Sequence, residues 1–82
     1  MSTASNRTAT VSERAVVARI NRALDPDQRI RRLRGAELRR AFGELVVWDW
    51  SRGYPVEVDV DLEALGRELG VLADHERVEG SS

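Results

Sequence analysis

The sequence predicts a small α+β domain, a three-stranded antiparallel sheet packed on two helices in the order α-β-β-β-α. Three observations carry that expectation. An apolar stripe at helical spacing runs from Thr10 to Leu24, strand-forming residues alternate from Gly43 to Val60, and a second helical stripe runs from Asp61 to Leu72. With 82 residues and no cysteine, the chain has one small core, no disulfide and little length for a deep active-site cleft. The expected boundaries are a disordered tail over 1–9, a single domain over 10–72 and a polar, frayed tail over 73–82.

Each element has its own signal. The opening MSTASNRTA is small and polar without a period, which fits a plain floppy terminus better than a transit peptide. Thr10 and Glu13 in TVSE match the capping box, in which each side chain satisfies the other residue's free backbone N–H. Val16, Val17, Ile20, Ala23 and Leu24 then share one helix face, with Arg14, Arg19 and Arg22 off it. The DPD at 25–27 ends that helix, because proline disfavours the helical conformation in the residue before it.

The stretch QRIRRLRGAELRRAFG, residues 28–43, reads two ways. As a helix it aligns Ile30, Leu33, Leu38, Ala41, Phe42 and Leu45, but Gly35 interrupts it. As a strand over 29–34 and a helical turn over 36–42 it supplies the third strand a hairpin needs for independent stability, and this reading is preferred.

In GELVVWDWSRGYPVEVDV, residues 43–60, two strand-forming runs flank SRG. A three-residue loop with Gly53 left-handed is expected. It pairs Trp50 with Tyr54, Trp48 with Val56, Val46 with Val58 and Glu44 with Val60. One face then carries Val46, Trp48, Trp50, Tyr54, Val56, Val58 and Val60, and both helices are expected to cover it. The other carries Leu45, Val47, Asp49, Pro55, Glu57 and Asp59. In the last helix Asp61 is the N-cap, Leu62, Leu65, Leu69 and Leu72 form the buried stripe, and Glu63 and Arg67 make an i,i+4 pair. Gly66 costs about 1 kcal/mol relative to alanine in mid-helix, which a close backbone approach to the sheet would explain.

LVVWDWSRGYPVEVDVDLEALGRELGVL, with VVARINRAL upstream, resembles a family of small uncharacterised bacterial proteins. These show a glycine, an aromatic strand, an Asp, an Arg-Asn turn and an ending of the VDLEALGRELGVL type. The likeness spans most of residues 15–72, and Asp49, Arg52 and Gly53 (often Asn in the family) align without gaps. It departs at Leu45 and Val46, where tyrosines are common, and at Asp59, where histidine is. The resemblance implies a fold and no chemistry.

Charge is the strongest functional clue. The net charge is −1, yet residues 1–41 hold ten arginines against four acids, while residues 42–82 hold three arginines against ten. There is no lysine. Five arginines fall within IRRLRGAELRR, residues 30–40: Arg31, Arg32, Arg34, Arg39 and Arg40. They suit a salt ladder to Glu57 and Asp59 across the sheet, or phosphate oxygens. A pI near 5.8 speaks against nucleic acid. The acids Glu57, Asp59 and Asp61 suit a solvated face better than a cation, which wants six or more oxygens wrapped around it. An acidic stripe also fits a nucleic-acid mimic, the way some inhibitors from mobile elements work, anti-CRISPR proteins among them.

Trp48 and Trp50 are expected in the core; an uncovered sheet face would make them a base-stacking platform or a dimer interface. Asp49 and Arg52 are expected to fix the turn, and the lone His75 has no nucleophile near it in sequence. No motif assembles a nucleophile, a base and an oxyanion site, so no enzyme and no cofactor or metal is expected. The function expected is a binding module working through protein–protein contact, with Arg31, Arg32, Arg34, Arg39 and Arg40 as its basic surface and Asp49, Glu57 and Asp59 as its acidic one. Nucleic-acid binding through the arginines is the alternative, and the charge split also permits a homo-oligomer. With no membrane span or signal peptide in the sequence, the expected location is cytoplasmic.

Overall fold

The computed structural model describes residues 9–80. Its elements in order are β1 (Ala9–Val11), α1 (Glu13–Ala23), β2 (Gln28–Arg32), α2 (Ala36–Phe42), β3 (Leu45–Asp49), β4 (Tyr54–Glu57), α3 (Leu62–Glu68) and β5 (Glu76–Val78). Strands β2, β3 and β4 form an antiparallel sheet with β3 in the centre, and β1 pairs with β5 in parallel. The α+β class and the three-stranded antiparallel sheet are therefore as expected. The order is richer than α-β-β-β-α, with a third helix and a parallel strand pair.

That parallel pair carries regular structure past the expected domain end at residue 72. Ala9 lies opposite Glu76, Thr10 opposite Arg77 and Val11 opposite Val78, with both valines buried. Each strand contributes a single inward valine, too little for a periodic signal. Of the tail expected over 73–82, the described residues 73–80 are thus tied back through β5, and of the tail expected over 1–9 only Ala9 lies within the described residues. Because β1 holds Thr10 in a strand, Ser12 is the N-cap of α1 instead of Thr10, its hydroxyl accepting from the Ala15 N–H at 3.1 Å.

Val16 and Ile20 of α1, fully shielded from solvent, meet Leu62 and Leu65 of α3 and Val47 of β3 in one core cluster. Gly66 serves the approach to Leu72 and α1, and not to the sheet: a Cβ there would stand 3.1 Å from Leu72 Cβ and 3.7 Å from Val16 Cγ1.

The two long-stripe helices cover the face opposite to the one expected. Ile30, Leu45, Val47 and Val56 belong to or pack against the helical cluster, whereas Trp48 is half-buried and Trp50 is 55% exposed. A bulge in β4 explains part of this. Val47 pairs with Glu57 in the expected register, but Trp48 pairs with Pro55 and Asp49 with Tyr54, so Val56 is the extra residue. The bulge brings Val56 to the Val47 side and lengthens the loop to four residues, Trp50–Gly53. Gly53 is left-handed as expected, at φ 77°, and its N–H donates to the Asp49 carbonyl at 2.8 Å. Val46 is also fully buried, but outside the helical cluster, on the face carrying Trp48; α2 packs against β3. Among the described residues no helix is long and apolar enough to cross a membrane.

Candidate binding surface

Strand alternation sorts the arginines. Arg29 lies opposite Trp48 and Arg31 opposite Val46, so both share the tryptophan face, while Gln28, Ile30 and Arg32 face the other way. The Arg31 guanidinium sits 5.1 Å from the Trp48 ring centroid, a cation–π contact. Trp48 and Trp50 meet edge to face, with centroids 6.4 Å apart and planes at 67°. No carboxylate of β2, β3 or β4 lies on this face: Asp49 and Glu57 pair with Tyr54 and Val47 and belong to the other. Tyr54 and Leu38 add further exposed apolar surface to the molecule, at 50% and 48%.

The salt ladder expected across the sheet does not form, because β2 and β4 occupy opposite edges with β3 between them. Arg32 bonds to Glu13 of α1 and to Glu44 instead, and Arg39 Nη2 lies 3.8 Å from Glu44. Among the described residues Arg29, Arg31, Arg34 and Arg40 form no ion pair, and neither do Glu57 and Asp59. The basic set named from the sequence therefore divides into engaged arginines, Arg32 and Arg39, and open ones, Arg31, Arg34 and Arg40.

Asp49 leaves the acidic surface altogether. It is 4% exposed, and its Oδ1 accepts from the Ser51 N–H, the Ser51 hydroxyl and the Arg52 N–H at 2.7–3.0 Å. Its Oδ2 accepts from Gln28 Nε2 at 3.1 Å. These bonds make it the anchor of the hairpin loop. They hold its pKa below the ordinary 3.8, at about 2, the Ser51 hydroxyl first and Gln28 next, against burial, which pushes the other way. Glu63 is lowered chiefly by the Val78 N–H, and Glu76 chiefly by the Ala73 N–H. Both carboxylates fasten the β5 end of the molecule, since Glu76 also holds Arg19 at 3.1 Å.

A carboxylate with a lowered folded-state pKa adds stability that is complete above its unfolded value and lost as the pH falls through its folded value. Thermal melts are therefore expected to drop steeply as the pH falls from about 5 to about 2. Asp49→Asn removes part of that drop and lowers the neutral-pH Tm by roughly 5–10 °C. Parallel acid limbs for the two proteins would show that Asp49 does not anchor the loop.

Elsewhere, a pocket of about 200 Å³ is lined by Glu13, Asp61, Glu63 and Glu79 beside Leu45 and Val60. Glu13 is held by Arg32, Asp61 by its own helix cap and Glu63 by Arg67 and the Val78 N–H, so three of these four acids serve the fold. No group of three or more metal-ligating side chains converges among the described residues. His75 is exposed, and its carbonyl accepts from the Ala9 N–H at 2.8 Å.

Sequence reading missed Arg29 as a site residue and placed the tryptophans inside. The signal was present in Arg29-Ile30-Arg31: if Ile30 faces the core, its neighbours must face away from it. Compared with protein families, curated proteins and solved structures, the chain matches none.

Proposed function

We propose that the protein is a non-enzymatic binding module that contacts a protein partner through the tryptophan face of its sheet. The observation that carries this reading is Trp50, 55% exposed, beside a Trp48 ring that carries the Arg31 guanidinium at 5.1 Å. Large exposed aromatic rings next to arginine are the composition of interface hot spots. An arginine held against a ring also loses less side-chain freedom on binding a carboxylate than a free one does.

Nucleic acid is the second reading, favoured by Arg29 and Arg31 on a sheet face without carboxylates. It is the weaker one. A single-strand platform stacks successive bases on successive open rings, whereas Arg31 already occupies Trp48 and Trp50 alone is open. The acidic-mimic reading loses Asp49 to the hairpin loop, which leaves Glu57 and Asp59.

Photo-crosslinking from a benzophenone side chain at position 50, in the source cell, tests the reading. A nuclease-resistant protein adduct, absent from the same group at position 14 on the exposed side of α1, is the expected result. An adduct destroyed by nuclease would replace this reading with the second, and no adduct above the position-14 control would overturn both.

A further inference from the structure

We infer that the tryptophan face takes an acidic segment of a partner protein, with carboxylates at alternate positions for Arg29 and Arg31 and an apolar side chain for Trp50. The inference rests on the binding-module reading and names the chemistry of its partner. Arg29 and Arg31 are both exposed and, among the described residues, form no ion pair. The acid nearest to them in the chain, Asp27, sits in the turn before β2 and pairs with neither. Since no carboxylate of β2, β3 or β4 shares their face, both charges are left for a group outside the molecule. Arg31 is already held over the Trp48 ring, 5.1 Å from its centroid, and its planar fork matches a carboxylate in two parallel hydrogen bonds.

Register sets the pattern the partner has to carry. Arg29 and Arg31 are alternate residues of one strand, so their Cα atoms stand about 7 Å apart, the spacing of alternate residues in any extended segment. Trp48 lies opposite Arg29, and the Trp50 N–H donates to the Asp27 carbonyl at 2.9 Å. Trp50 therefore follows Arg29 on the side away from Arg31, and an apolar residue two positions from the nearer carboxylate meets it. Side chains make this contact, because neither sheet edge invites an added strand. On the β2 edge the Ile30 N–H already donates to Asn21 Oδ1 at 2.8 Å, and on the β4 edge Pro55 has no N–H to offer. A short acidic segment also suits the molecule better than a nucleic-acid backbone. A long polyanion running past the face meets a second half of the chain that holds ten acids against three arginines.

Fluorescence anisotropy tests the inference with the purified full chain and two labelled peptides, one with the core leucine-serine-glutamate-serine-glutamate and one with that core reversed. At roughly 50 mM salt one of the two is expected to bind with a Kd below about 1 mM, weakening at least about fivefold near 500 mM salt. Glutamine in place of both glutamates should weaken binding at least about tenfold. Arg29→Gln with Arg31→Gln should remove it, and Arg31→Lys should weaken it severalfold, since lysine keeps the charge without the fork. Arg14→Gln, on the exposed side of α1, should leave it unchanged. The glutamine peptides require no variant protein, so a folding defect cannot imitate their loss. No saturable binding of either peptide, equal binding of the glutamine peptides, or binding indifferent to Arg29 and Arg31 overturns the inference. With both peptides unbound, a nuclease-resistant adduct at position 50 overturns the acidic partner and leaves the binding-module reading standing, whereas no adduct overturns both. A single-stranded oligonucleotide probe bound more tightly than either peptide, and lost with the same two arginines, overturns it in favour of nucleic acid.

Discussion

Val47→Asp is expected to unfold the protein, and Trp50→Asp to leave it folded. Val47 is 1% exposed in the cluster formed with Val16, Ile20, Leu62 and Leu65, and no cation among these neighbours could compensate a new carboxylate. An isolated buried carboxylate costs several kcal/mol even after its pKa rises. That is comparable with the roughly 4–12 kcal/mol of stability expected for a chain of 82 residues. Trp50 is 55% exposed, and its replacement should cost about 1 kcal/mol or less. Far-UV circular dichroism and urea melts of the two variants read the difference. The opposite ranking would mean that the helices cover the tryptophan face after all.

Gly43→Ala should be the second severe change, costing about 3 kcal/mol or more. Gly43 closes α2 with φ 85° and ψ 178°, a region that only glycine occupies readily. A Cβ there would also stand 2.7 Å from the Asp59 Cα and 2.8 Å from its Oδ1. The Asp59 backbone cannot move aside freely. Its N–H donates to the Phe42 carbonyl at 2.7 Å, and the next N–H, Val60, donates to Leu45 at 2.9 Å. Gly53→Ala is the control: φ is also positive, at 77°, but nothing lies within 4 Å of a Cβ, so only about 1–2 kcal/mol of left-handed strain is added. Equal urea midpoints for the two variants would remove the close crossing from the account.

These contrasts show where local sequence signals suffice. The spacing of Val16 and Ile20, the Asp61 cap, the use of Asp49 to fix the turn and the left-handed Gly53 are decided by residues within a few positions of each other and are legible, although the loop is one residue longer than expected and Asp49 is buried in it and not part of an acidic surface. The strand at 28–32 was legible too, because Gly35 made a continuous helix costly. Which sheet face meets the helices was not. Val46, Trp48 and Trp50 offer more apolar area than Leu45 and Val47, and area alone assigns them to the core. The decision depends on the β4 bulge and on α2 packing against β3, both of them tertiary. The β1–β5 pair is a contact between the two ends of the domain, which local periodicity cannot reveal. The site suffered from the same cause. The arginine stretch was noticed for its density, but its meaning depends on face: Arg32 turns towards Glu13 and Glu44, while Arg29 and Arg31 turn towards the tryptophans.

The central claim is that this aromatic and arginine face is open in the single molecule and closes on a partner. Acrylamide quenching of Trp50 emission, in a Trp48→Phe background, measures it directly from sub-micromolar to near-millimolar protein. The account predicts quenching close to that of a solvent-exposed tryptophan in the single molecule, and protection once a protein partner is bound. Trp50 shielded and blue-shifted even at the lowest concentration would contradict it, because the face would then be covered by the molecule itself.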